Sequence, residues 1–332
     1  MVRIRHREKQ ILMLVAIALV VLLAFLYIRF FNGSLIYIST GFGKDKLFKV
    51  EKQSVYTMEA KILMSDSKSE YEKILGSDIW SKTVGDVTFE EYAKEQVKAK
   101  LIRVQCMNIM AKEKGVVLSR AQSDAVSNAV DAYYNSLTEN QISELKVTKE
   151  KLKQMFTEFA IAKTLYDDMT SNLEFEISAD EARVITIQYI CADSLDKINA
   201  AKTRIDNGET FYLVAKEHTG DEYECELKRG QMVEDFEKAA FNLKTGETSG
   251  VVEIEGKYYI IKCTSDNENN KTEANKQVIL EQKKLDNFNA TFEAYEADKY
   301  VSVNKKVWDG LSVSATTQLD VNFEEIYNQY VK

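Results

Sequence analysis

The sequence predicts an α+β protein with an N-terminal transmembrane helix, a mostly α-helical region, and a compact unit of strands and short helices inserted before a C-terminal helix. Three observations carry this reading. A basic decapeptide, MVRIRHREKQ, runs straight into the apolar stretch Ile11–Ile28. Amphipathic stripes at three-to-four-residue spacing fill the chain from about Ser65 to Leu173. At Val184 the pattern then changes to β-branched runs that alternate with short helical ones.

The apolar stretch comes first. At about 1.5 Å per residue it is long enough to cross the hydrocarbon core of a bilayer, with Arg29 snorkelling at the far interface. A cleaved secretory leader has a shorter apolar core and a small-residue cleavage site, whereas this stretch ends in Tyr27-Ile28-Arg29-Phe30-Phe31. It therefore reads as an uncleaved anchor at 11–31. Arg3, Arg5, Arg7 and Lys9 keep the tail 1–10 cytoplasmic and send the rest outside the cell membrane, a single-pass topology. Past residue 31 the chain holds 39 Lys and Arg against 51 Asp and Glu, a net of −12, which argues against a nucleic-acid partner. Cys106, Cys191, Cys225 and Cys263 show no metal-ligand spacing, and His6 and His218 are the two histidines, so a structural zinc site is not expected. Proline is absent, so the chain has no slow X-Pro step in its own folding.

Residues 32–64 read as a linker into the helical region, 65–177. There Thr88 with Glu91 forms a capping box that opens a helix up to Lys114, with Gly115 as its stop. Ser119 with Gln122 opens a second helix and Thr148 a third, whose Leu152, Phe156, Phe159 and Tyr166 make one apolar stripe. Such stripes form a core, and aromatic-rich helices also suit a cradle for unfolded chains. The unit 178–266 starts with a further capping box, Ser178-Ala-Asp-Glu181, ahead of the strand Val184–Ile190. Helices from about Ser194 to Asn207 and Phe211 to His218 follow, then a polar strand Glu224–Lys228, a helix from about Glu234 to Asn242, and apolar runs Val251–Ile254 and Tyr258–Cys263. SDNENNKTEANK reads as a polar linker, followed by a helix from about Ala274 to Tyr300. The segment 267–332, whose tail bears Trp308, Phe323 and Tyr327, is expected to pack back on the helical region.

The stretch from Arg229-Gly-Gln-Met-Val-Glu-Asp-Phe236 through Ala-Ala-Phe-Asn-Leu-Lys-Thr-Gly246 to the strand Tyr258-Tyr-Ile-Ile-Lys262 resembles the parvulin (PpiC-like) prolyl isomerases. The resemblance covers about residues 181 to 265. It implies a small four-stranded antiparallel sheet and no cofactor or metal. It also implies a pocket for the substrate proline ring formed by Met232 and Phe236, with Phe241 at the family's second Phe position. The family's paired histidines fall on Gln188 and Tyr259, expected to face each other across antiparallel strands, and its Asp or Cys position falls on Asp221. In that register Cys191 lies opposite Gly256 and Cys263 opposite Val184, too far apart to bridge. The family's Gly-Gly-Asp-Leu-Gly segment is missing, and Asp221–Cys225 stands near it. The acidic neighbours of Cys225 are expected to keep its thiol inert.

The flanking helices resemble the membrane-anchored SurA–PrsA-like export chaperones, the Gram-positive type included. Two functions fit that resemblance. In one the chain is a peptidyl-prolyl cis-trans isomerase acting on unfolded or proline-containing exported polypeptides. In the other the parvulin unit has lost its chemistry and the protein is a holdase for such chains. A structural surface protein without clients would leave both Met232 and Phe236 buried.

Overall fold

The structure, a computed structural model, describes residues 36–38, 43 and 45–331. The expected anchor at 11–31 lies outside these residues, and among the described ones no helix is long and apolar enough to cross a membrane. The chain divides into two compact units, one of the residues up to Asn172 together with those from Phe288 onward, the other from Leu173 to Asn287.

The first unit is built on the helices Thr57–Leu75, Phe89–Lys114, Arg120–Ser136, Glu139–Leu145 and Lys149–Thr170. Their ends follow the capping chemistry of the sequence. Thr88 Oγ1 accepts from Glu91 N at 3.2 Å while Glu91 accepts from Thr88 N, and Ser119 and Gln122 repeat the exchange. Thr148 Oγ1 accepts from Lys151 N. Gly115, at φ +72°, takes the left-handed conformation that stops the second helix at little steric cost.

The described residues of the expected linker 32–64 are instead mostly in strands and the start of a helix. The strands, numbered along the whole chain, are β1 (Ile36–Ile38), β2 (Lys46–Val50), β3 (Gln53–Tyr56), β4 (Thr83–Val84), β5 (Val87–Thr88), β6 (Val184–Ala192), β7 (Glu224–Lys228), β8 (Val252–Ile254), β9 (Lys257–Ser265) and β10 (Val301–Val303). In the first unit they form a sheet in the order β1-β10-β2-β3, with β1 and β10 parallel and the other pairs antiparallel, and a β4-β5 hairpin. The first helix also starts at Thr57, ahead of the expected Ser65, because Glu59 accepts from Tyr56 N and closes its N-terminus.

Aromatic packing holds the C-terminal segment in the first unit's core. Phe323 lies 4.6 Å from Phe156 between ring centroids, and Phe288 meets Tyr166 of the helix Lys149–Thr170 at 5.2 Å. Phe323 N donates to Asp66 Oδ2 at 3.0 Å and Leu319 N to Ser65 Oγ at 2.9 Å.

The second unit is the α+β module: β6, the helices Leu195–Asp206 and Phe211–Thr219, β7, the helix Glu234–Phe241, then β8 and β9. Its sheet runs β7-β6-β9-β8, antiparallel throughout. Alternation along β6 divides two small cores. Ile185, Ile187 and Tyr189 pack with Ile261 and Tyr259 under the helix Glu234–Phe241. Ile190 and Ala192 pack with Ile260 under the other two helices. The polar segment read as a linker after Cys263 is helical from Asn269, the start of the helix Asn269–Ala297. Its polar side chains dock this helix to the start of β6, since Thr272 Oγ1 accepts from Val184 N at 3.0 Å and Asn275 Nδ2 donates to Ala182 O at 2.9 Å.

Candidate functional site

The site grows from the N-terminal turn of the helix Glu234–Phe241, which lies over the β6–β9 face. Phe236 points down onto the sheet and is only 3% exposed. Its ring meets Tyr259 edge-on at 5.5 Å and 90°, and Tyr189 at 6.2 Å and 84°; Tyr189 and Tyr259 are 6.5 Å apart. These three rings make an aromatic trio on one sheet face. Met232, four residues before Phe236, lies ahead of the helix and is 44% exposed, so it forms a flexible apolar rim. Its N–H donates to Glu237 Oε1 at 2.9 Å, which fixes the turn.

Phe241 sits at the opposite end of the helix. It is buried, with the Arg229 guanidinium 4.3 Å and the Arg183 guanidinium 5.2 Å from its ring centroid, and Arg183 donates to its carbonyl at 2.8 Å. These contacts anchor the helix to its surroundings. Asp221 is exposed in the 3₁₀ turn Gly220–Glu222, its carboxylate 3.7 Å from the Lys216 ammonium.

Gln188 is placed differently from the expected facing pair. Its Cα partners are Glu224 on β7 and Lys262 on β9, and its Nε2 donates to Glu224 Oε2 at 2.7 Å. Tyr259 is instead opposite Cys191, and Cys263 is opposite Ile187. The register therefore differs from the expected one by three residues, with a shift in pairing between Thr186 and Ile187. Because side chains alternate along a strand, Gln188 belongs to the face away from the trio. Tyr189 and Cys191 stand on the trio's side. The signal for them was the alternation Ile185, Ile187, Tyr189, which places Tyr189 with the core and its neighbour Gln188 on the other side.

The electrostatics are those of a neutral, apolar site. Burial, then the neighbouring Cys191 thiol, pushes the Tyr259 phenol up to about 12, so it remains protonated at physiological pH. Burial and then the carboxylates of Glu224 and Glu226 push the Cys225 thiol up to about 11, which leaves little thiolate. The four cysteines are free thiols. Cys191 lies four residues along β6 from the position opposite Cys263, about 13 Å at roughly 3.3 Å per residue.

Such a site suits a reaction without covalent steps. Rotation about a peptide bond has a barrier of about 18–20 kcal/mol because amide resonance must be broken. A dry aromatic surface that grips a ring and favours the twisted, less polar amide stabilises that transition state selectively. Tyr259 adds a neutral hydrogen-bonding group beside the surface.

Residues 186–265 match the family model Rotamase, described as the PPIC-type PPIASE domain. The foldase protein PrsA of Caldanaerobacter subterraneus subsp. tengcongensis is 24% identical over 229 residues, 66% of this chain and 70% of that protein. The foldase protein PrsA of Bacillus subtilis is 40% identical over 94 residues, 25% of this chain and 32% of that protein. Among solved structures, a PrsA peptidylprolyl isomerase from Bacillus cereus aligns with 87% of this chain and 100% of its own at 15% identity and a TM-score of 0.38. The second unit thus contains a PPIC-type, parvulin peptidyl-prolyl isomerase domain, within a chain similar to the PrsA foldases.

Proposed function

We propose that this chain is a membrane-anchored extracytoplasmic foldase whose parvulin domain, 178–266, isomerises X-Pro bonds in exported polypeptides while the helical region holds the unfolded chain. The observation that carries this reading is the aromatic trio Tyr189–Phe236–Tyr259 inside the PPIC-type match. Met232 and Phe236 grip the proline ring, Tyr259 offers its phenol to the rotating amide, and Asp221 lies on the turn that follows the helix Phe211–Thr219. Phe241 anchors the helix that carries Phe236. Gln188 gives up its place in the site to Tyr189. Residues 11–31 form the anchor, with 1–10 cytoplasmic and the bulk of the chain outside. The test uses the full-length chain in detergent, with a proline-containing tetrapeptide as substrate. Acceleration of cis-to-trans conversion over the uncatalysed rate supports the isomerase; no acceleration overturns it. Protease added to intact cells tests the topology, and complete protection of the ectodomain would overturn it.

One observation favours the holdase as a second reading. Phe236 is almost fully buried, and Tyr259 rests edge-on against it where an open slot would be accessible. A chain that suppresses aggregation of an unfolded client without accelerating prolyl isomerisation would establish that reading.

A further inference from the structure

We propose that Thr219 is a positioning residue of the isomerase site, holding the end of β6 so that Tyr189 and Cys191 stay against Phe236 and Tyr259. This rests on the reading of the aromatic trio as the prolyl site. β7 pairs with β6 only as far as Gln188, opposite Glu224. Past that point the same edge of β6 would be left with unpaired backbone groups. Tyr189 N donates to Tyr223 O at 2.7 Å. The next two groups on that edge both go to one side chain: Thr219 Oγ1 donates to Tyr189 O at 3.2 Å and accepts from Cys191 N at 3.2 Å. A single hydroxyl thus acts as donor and acceptor where the next peptide group of a partner strand would stand.

The local fold explains why a side chain does this. Thr219 is the last residue of the helix Phe211–Thr219, and the chain must reverse before β7 begins at Glu224. Gly220, at φ 78° and ψ −150°, makes that reversal, and the 3₁₀ turn that follows presents Asp221. Among the described residues no strand backbone bonds Tyr189 O or Cys191 N on this side, so the hydroxyl secures the edge. It joins the turn bearing Asp221 to the strand bearing Tyr189 and Cys191. Valine matches threonine in shape but can neither donate nor accept, whereas serine can do both.

The experiment compares Thr219→Val, Thr219→Ala and Thr219→Ser in the full-length chain, by kinetics on the tetrapeptide, thermal melting and amide hydrogen exchange. Without the hydroxyl, the walls of the slot lose their register and the ring is gripped less well in ground and transition states alike. KM should therefore rise about tenfold in Thr219→Val and Thr219→Ala, with kcat within about twofold of wild type. The Cys191 amide should exchange about tenfold faster in the same variants. Thr219→Ser should restore both values. Thr219→Ala carries the test if the valine variant does not fold. A lowered melting temperature with unchanged KM would mean that the hydroxyl only supports the fold, and would overturn the proposal, as would a serine variant that behaves like valine. An inactive wild-type chain would overturn the isomerase reading and this proposal together; an active one with normal Thr219→Val kinetics would overturn only this proposal.

Discussion

Replacing Phe236 with alanine tests the proposed grip on the substrate together with the ring's support of the fold, so the two effects have to be read by different assays. Phe236 is 3% exposed and touches Tyr189 and Tyr259 edge-on. Truncating a buried phenylalanine costs about 3–5 kcal/mol through lost transfer energy and the cavity left behind. Most small domains have only about 5–15 kcal/mol in total, so the variant should remain folded but melt lower, by on the order of 15 °C for a unit of this size. Activity is therefore read at about 10 °C, where circular dichroism can establish that the fold persists. With the wall gone, kcat/KM should fall at least about a hundredfold, roughly 2.7 kcal/mol of transition-state stabilisation. Phe236→Leu keeps most of the buried volume but removes the aromatic edge contacts, worth about 0.5–1.5 kcal/mol each. It should melt close to wild type yet lose about tenfold in kcat/KM. A folded Phe236→Ala chain that isomerises at the wild-type rate would refute the pocket assignment.

Gln188→Ala should leave kcat/KM within about twofold, since Gln188 bonds Glu224 on the face away from the trio; a large loss would place it back in the site. With its phenol neutral up to about 12, Tyr259 should give a flat activity profile between pH 6 and 9, and Tyr259→His should keep or raise activity while introducing a titration near pH 6.5. The first unit should melt higher at pH 5.5 than at pH 7.5. Asp66, pushed up to about 7 chiefly by burial, binds its proton in the folded state, so its stabilisation is full below the unfolded value of about 4 and fades as pH rises through 7. Glu296, also raised to about 7 by burial, acts in the same direction, and Asp66→Asn should reduce the pH dependence of the melt. The Cys225 thiol should react slowly with a maleimide at pH 7.4 in the native protein and quickly once unfolded; fast native labelling would contradict its raised pKa.

Where structure follows from neighbours in sequence, it could be read directly. The caps at Thr88, Ser119, Thr148 and Ser178 each bond a backbone N–H three residues on, and all four begin helices where expected. The strand and helix order of 178–266 was legible for the same reason. The sheet β1-β10-β2-β3 was not, since its three-to-five-residue strands are too short for alternation to show and β10 is some 250 residues from β2. The stretch after Cys263 misled because its polar residues are docking groups: Thr272 and Asn275 bond the backbone around β6, and nothing local reveals such a partner. The expected facing of Gln188 and Tyr259 fails because matching family positions along the sequence fixes no strand register; the observed pairing is offset by three residues, and an odd offset exchanges the two faces.

The placement of β10 between β1 and β2 sets an order of events during synthesis. The first unit's sheet cannot close, and Asp66 and Ser65 cannot meet Phe323 and Leu319, until residues beyond 300 have left whatever channel delivers the chain. The strands of the second unit, by contrast, lie within 184–265 and find one another over short loops, which favours fast folding. As the chain emerges from its N-terminus, the catalytic module can therefore be complete while the helices before it still await their last strand. During that interval the apolar faces of those helices are uncovered while the parvulin unit is already folded. Truncation before Val301 should accordingly leave a folded second unit attached to an aggregation-prone first one.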